Sequence, residues 1–190
     1  MKKSLVLFVM LALLSVSSFA QSKGAKFFGV SALASVESTS ASAYGHNSTV
    51  TSTQLALGVE LGYFITDKTS LSLGISVPYV DQDGSSNGLG VNIAPRITSY
   101  FYITDNVYYS PSFCVSYETG KVKNDGDKYN YNAYGFMFDL FGLSVKVRNN
   151  ISLYITLAPF GFVSTKTGDI KANQFSMKLN SGTLGVRFDL

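Results

Sequence analysis

Tryptophan is absent from these 190 residues, and cysteine and histidine occur once each, as Cys114 and His46. A lone cysteine excludes an intrachain disulfide and any metal site built on clustered thiolates, and a lone histidine excludes sites that need two imidazoles. Charge is scarce too. Asp, Glu, Lys and Arg make up 14% of the chain, against about 25% in ordinary soluble domains, so a wholly water-facing surface is disfavoured. The formal charge of +3 is the balance of 15 basic and 12 acidic residues, which is no footprint for a nucleic acid partner. Beyond residue 20, no apolar run reaches the roughly 20 residues of a transmembrane helix. If the mature chain enters a membrane, it does so as strands. Disorder is disfavoured too, by the 14% of aromatic residues.

The N-terminus reads as an export signal over residues 1–20. Met1-Lys2-Lys3 is a short positive region, Ser4 to Leu14 is apolar, and Ser18-Phe19-Ala20 puts small residues where a signal peptidase reads. An uncleaved anchor helix would need a longer apolar run. No cysteine follows Ala20, so lipid attachment is not expected. Cleavage removes Lys2 and Lys3 and takes the formal charge from +3 to +1. Residues 21–190 then form one domain.

Along that domain the period is two. Leu55, Leu57, Val59, Leu61 and Tyr63 alternate with Gln54, Ala56, Gly58, Glu60 and Gly62. Successive side chains of a strand point to opposite faces, so this is a strand signal. Leu71 to Tyr79, Leu89 to Ile97, Val107 to Tyr117, Ile151 to Leu157 and Leu184 to Leu190 repeat it, and Lys26 to Val36 gives the first strand. Phe136, Phe138 and Leu140 have one parity and Leu143, Val145 and Val147 the other. A bulge near Phe141-Gly142 reconciles them without turning Asp139 onto the apolar face. A second parity change is expected around Ser181-Gly182, and the total is eight strands.

Connections alternate short and long. Ile-Thr-Asp recurs at residues 65–67 and 103–105 with aromatics before it, and Asn149-Asn150 marks a third tight turn. Glu37–Thr53, Asp81–Asn87, Thr119–Lys128 and Thr165–Lys171 are expected as long polar loops. Short turns at one end and long loops at the other is the arrangement of an outer-membrane barrel. The polar rows carry Gly, Ser, Ala and Thr with few charges, which suits the narrow interior of eight strands better than a soluble exterior. Aromatics gather at both strand ends: Tyr63, Phe64, Tyr100, Phe101, Tyr102, Tyr108 and Tyr109 by the tight turns, and Tyr79, Tyr117, Tyr129 and Tyr131 by the long loops. Two such belts are what two membrane interfaces select.

With the signal, the aromatic–Ile-Thr-Asp turns and the terminal Leu184-Gly185-Val186-Arg187-Phe188-Asp189-Leu190, residues 25–190 resemble the small outer-membrane β-barrel domain family of diderm bacteria, the porin-family or opacity-like proteins. The resemblance implies export through the periplasm to the cell outer membrane, where outer-membrane lipid surrounds the barrel. It also implies recognition by the barrel-assembly machinery through an apolar alternation closing on an aromatic. Here that alternation ends on Leu190, with Phe188 two before it.

No catalytic, cofactor or metal constellation emerges, and a non-enzymatic protein is expected. His46 lies in the polar run Ala43-Tyr44-Gly45-His46-Asn47-Ser48, with nothing fixed beside it to make a triad. Asp81-Gln82-Asp83-Gly84 has no downstream bidentate Glu for calcium. Cys114 falls on the small polar row, where an inert buried thiol is expected. The rows turned inward carry Glu60, Arg96, Glu118, Asp139 and Arg187. Charges in a narrow lumen should pair, since unpaired they are costly. Glu60 and Arg96 are expected at similar depth, Glu118 and Asp139 towards the long loops, and Arg187 towards the tight turns. Such a network is either a filling plug or an ion gate, and eight strands leave little open bore.

The expected architecture is therefore all-β: an eight-stranded antiparallel up-and-down transmembrane β-barrel, closed by pairing its first and last strands. Its expected role is structural or interactive, with the long loops meeting an extracellular partner. A narrow channel for ions or small solutes, a lipid-modifying enzyme and a soluble periplasmic carrier are the alternatives. No peptidoglycan-binding domain is expected after residue 190.

Overall fold

A computed structural model describes residues 23–43, 46–82, 86–124, 127–167, 170–177 and 181–190. They form strand segments β1 (Lys26–Ala43), β2 (His46–Thr66), β3 (Thr69–Gln82), β4 (Ser86–Ser99), β5 (Phe101–Thr104), β6 (Val107–Tyr109), β7 (Ser112–Asn124), β8 (Asp127–Arg148), β9 (Ile151–Thr167), β10 (Ile170–Met177) and β11 (Ser181–Asp189). β5 continues β4 past Tyr100, β6 runs into β7 across Ser110-Pro111, and β10 and β11 are two parts of one strand, so the ring has eight strands. All pairings are antiparallel, and β1 closes the ring on β11 from Phe27↔Asp189 to Ser35↔Ser181. Closure leaves no sheet edge at the seam and satisfies the backbone polar groups within the wall.

The Leu, Val and Ile rows face outward. Leu57 is 71% exposed, Leu61 60% and Leu184 60%, and Leu73, Ile75, Val91, Ile93, Val115, Leu153 and Ile155 are exposed with them. In water such a continuous apolar exterior would be untenable; against acyl chains it is the favourable face. The tight turns fall at Asp67-Lys68, Asp105-Asn106 and Asn149-Asn150, where the sequence places them. At the first of these, the Lys23 amide donates to Asp67 Oδ1 at 2.8 Å, and the Gly24 amide donates to the Phe64 carbonyl at 2.7 Å. Gly24 adopts φ 89°, a backbone conformation natural to glycine.

The bulge near Phe141-Gly142 is present on β8. Ser112 pairs with Asp139 while Tyr109 pairs with Leu143, so four steps on β8 face three on β6 and β7. Leu140 and Phe141 are both exposed, after which the parity is reversed. Gly142 is required there, because a Cβ would run into the carbonyl oxygen of Ser110. The parities of β10 and β11 differ, as expected, and residues 178–180 between them lie outside the described residues. The signal at 1–20 and the Asp83-Gly84 turn lie outside them as well.

Two expectations are corrected. The segments read as long loops are largely strand. β1 and β2 pair from Val36↔Thr53 out to Ala43↔His46, β7 and β8 from Thr119↔Asn132 to Asn124↔Asp127, and β9 and β10 meet at Thr167↔Ile170. His46 thus opens β2 instead of lying mid-loop. The reason is that ladder hydrogen bonds need only backbone, and β-branched Thr favours strands. Both rows of these extensions are polar because neither meets lipid, so no alternation betrays them. The second correction concerns the aromatics. Phe64, Tyr100 and Tyr108 are buried inside the barrel, and only Tyr63, Phe101, Tyr102 and Tyr109 of that group are exposed. Neighbouring aromatics split between the two faces because the strand alternates.

Candidate functional site

The interior is organised in three levels from the tight-turn end upward. The lowest is a cation held by rings. Arg187 on β11 is 4% exposed, and its guanidinium carbon lies 5.2 Å from the ring centre of Phe27, 5.4 Å from Phe64 and 5.1 Å from Tyr100. These rings come from β1, β2 and the β4–β5 junction, and they pack on each other, Phe27–Phe64 at 5.7 Å and Phe64–Tyr100 at 5.5 Å. Arginine suits this position because its planar, weakly hydrated fork stacks on aromatic faces. Arg187 Nη1 donates to the Tyr100 hydroxyl at 2.7 Å and Nη2 to Ser152 Oγ at 3.4 Å. Asp189 Oδ1 is 3.1 Å from Arg187 Nε and supplies the counter-charge. The rings, the cation and its carboxylate pack together inside the barrel at this end.

The middle level holds Arg96 and Asp139, which form an ion pair, and Ser112, whose hydroxyl donates to Asp139 Oδ2 at 2.7 Å and accepts from Arg96 Nη1 at 2.7 Å. Register places them together, since Thr98 pairs with Ser112 and Ser112 with Asp139. Asp139 therefore sits level with Arg96, not above it. The tilt of β8 and its bulge shift it downward relative to a count of residues from the turn. Glu60 sits beside this pair on β2 and accepts a hydrogen bond from Ser72 Oγ. Cys114, 1% exposed, lies inside next to Arg96 as its register partner, the buried position expected for it.

The upper level is Glu118. It accepts from the Tyr131 hydroxyl at 2.6 Å and from Asn92 Nδ2 at 3.4 Å, well apart from the Arg96 pair. The five charges read from the sequence are thus distributed over three clusters rather than one network. Asp189 and Phe27 were not singled out, and Phe64, Tyr100 and Tyr131 were expected in the aromatic belts, whereas they turn inward. Asp189 was findable, as it shares the inward row with Arg187 two residues away. The ring cage was not, because adjacency of aromatics says nothing about which of them turns inward.

Between the lower and middle levels lies a cavity of about 120 Å³ lined by Glu60, Arg96, Ser112, Tyr100, Tyr154 and Arg187 among others. It is small beside the roughly 300–1,000 Å³ of ligand pockets. Among the described residues, no three His, Cys, Asp or Glu side chains are grouped to hold a metal.

A closed antiparallel ring with an apolar belt outside and a polar, charge-paired interior is the membrane-spanning form that strands take. This is a β-barrel of the outer-membrane type. No family model matches its sequence, and no curated protein does. Among solved structures, neisserial surface protein A is similar at 16% identity and a TM-score of 0.49, over 86% of this chain and 97% of that one. The outer membrane protein OprG from Pseudomonas aeruginosa is similar at 12% identity and a TM-score of 0.49, over 90% and 99%. Ail, the attachment invasion locus protein of Yersinia pestis, follows at 12% and 0.44, over 88% and 99%.

Proposed function

We propose that this chain is a scaffold rather than a conduit: a barrel with a sealed lumen that presents its long polar hairpins to the outside. The observation that carries the reading is the Arg187 cage. A guanidinium stacked against three rings, with its carboxylate beside it, supports a closed bore at the tight-turn end. The strand lengths support the second half. β2 has 21 residues and β8 has 22, whereas about 9–11 suffice to cross the bilayer. The surplus projects beyond the membrane as paired, polar ribbon, where an extracellular partner could be met. Residues 1–20 act as the export signal in this reading, and the β11 alternation as the address for the barrel-assembly machinery. No step of catalysis is assigned to any residue.

Planar-bilayer recording of the refolded barrel tests the seal. The expected result is no steady conductance for the native protein and stepwise openings after Phe64→Ala combined with Arg187→Ala. Steady openings of the native barrel would overturn the scaffold reading in favour of a narrow channel through the 120 Å³ cavity.

A further inference from the structure

Basic residues at the long-hairpin end are confined to one side of the barrel. On β1, β2, β3 and β4 the extensions beyond the apolar belt carry Ser, Thr, Asn, Glu and Asp but no Lys or Arg. On β7, β8, β9 and β10 they carry Lys121, Lys123, Lys128, Lys166 and Lys171. Lys121 and Lys123 continue the outward row of Val115 and Tyr117, and both are exposed. Lys128 continues the outward row of Tyr134 and Phe136, and Lys166 is register partner to exposed Asn132 in that same row.

Tyr117 and Tyr134 pair directly with each other and are 49% and 51% exposed, which marks the upper limit of the apolar belt on these strands. Lys166 lies level with Asn132, one outward position above that limit. Lys121 lies two positions above, and the Lys123–Lys128 pair three. At about 3.3 Å per residue this spans the headgroup layer and the zone just outside it.

The register adds a second observation. Lys123 stands directly opposite Lys128, and Lys166 directly opposite Lys171. Like charges facing each other across a ladder destabilise a sheet. Of the nearby carboxylates, Glu118 and Asp127 belong to the alternate rows of the same strands, and Glu118 is held in the lumen by Tyr131, while Asp125 and Asp169 lie outside the described residues. The opposed lysines, one pair beginning one outward position above the tyrosines and the other three positions above, form an arrangement that an anion supplied by the leaflet would relieve.

We propose that the outward face of β7, β8, β9 and β10 above Tyr117 and Tyr134 binds the phosphate groups of lipid headgroups in the outer leaflet. This rests on the membrane reading above and on the long hairpins facing outward. Each lysine near an anionic surface adds attraction, and exposed apolar rings just below seat the acyl chains of the same lipid. The binding orients the barrel about its axis with respect to its lipid neighbours and gives it one preferred lipid-facing side.

The test is native mass spectrometry of the full-length folded barrel in detergent, incubated with diphosphoryl lipid A or with its dephosphorylated form. Heat-modifiable gel mobility of the same sample reports barrel closure. The expected result is retention of the phosphorylated lipid about tenfold better than the dephosphorylated one. That preference should be lost in Lys123→Gln/Lys128→Gln/Lys166→Gln/Lys171→Gln and kept when the same four positions are Arg. It should also be kept in Lys68→Gln/Lys146→Gln, at the opposite end. Equal retention of both lipids by a barrel with normal heat-modifiability overturns the inference and leaves the membrane reading intact. Absence of the mobility shift in the native protein overturns both. Complete displacement by inorganic phosphate would show a free-anion site and overturn the assignment to a headgroup. Should the Gln variant not fold, the comparison of the two lipids on the native barrel decides alone.

Discussion

Arg96 and Arg187 are both buried cations, and they are held in different ways. Arg96 is paired with Asp139, with Ser112 bridging them and Glu60 as a second, more distant carboxylate. Breaking a buried pair by removing one partner leaves an uncompensated charge and costs about 3–5 kcal/mol. Asp139→Asn should therefore lower the urea midpoint of the lipid-embedded barrel by a corresponding amount. Adding Arg96→Met to it should restore most of the loss, because replacing both members by apolar groups removes the desolvation penalty as well. A double variant no better than Asp139→Asn would show that the pair is not the source of the effect. Gly142 is a second test at this scale. Its Cβ would collide with the Ser110 carbonyl, and overpacking of this kind costs about 1–3 kcal/mol. Gly142→Ala should show the same direction of shift in the same measurement, whereas Gly24→Ala, in open space, should act only through its left-handed backbone.

For the strands, the outward rows were legible because lipid demands an uninterrupted apolar face, and uninterrupted alternation is what a sequence displays best. Leu55 to Tyr63 and Leu71 to Tyr79 fall where the pattern puts them. The bulge on β8 was legible for the same reason, since a parity conflict between Phe138 and Leu143 has few other remedies. The hairpin extensions were not. Glu37–Thr53 carries Ser and Thr in both rows, so strand and loop predict the same composition there. The lumen was half legible: alternation assigns Glu60, Arg96, Glu118, Asp139 and Arg187 to the inside, but which of them meet depends on tilt and shear between strands far apart in sequence. The outward rows also yield a depth-resolved prediction. Val59→Arg, midway along the apolar row of β2, should destabilise by about 2–4 kcal/mol, while Tyr63→Arg, at its rim, should cost about 0–1 kcal/mol. Equal penalties at the two sites in denaturant unfolding would contradict the placement of the belt.

At the scale of the whole molecule, the barrel divides into a membrane-spanning part that is fixed by packing and a projecting part that is not. Trimming the β1–β2 hairpin by replacing residues 38–51 with a two-residue turn should leave heat-modifiable mobility unchanged, because the charge pairs and the ring cage lie below that level. Loss of the shift would mean that the projecting ladder contributes to closure. The cage has one more property. Arg187 belongs to β11, while Phe27, Phe64 and Tyr100 belong to segments that precede it by tens of residues. β11 is also the strand that zips onto β1. The same strand thus carries the closing ladder and the cation of the cage, so in the sealed-lumen reading proposed above the stopper is complete only once the circle is joined.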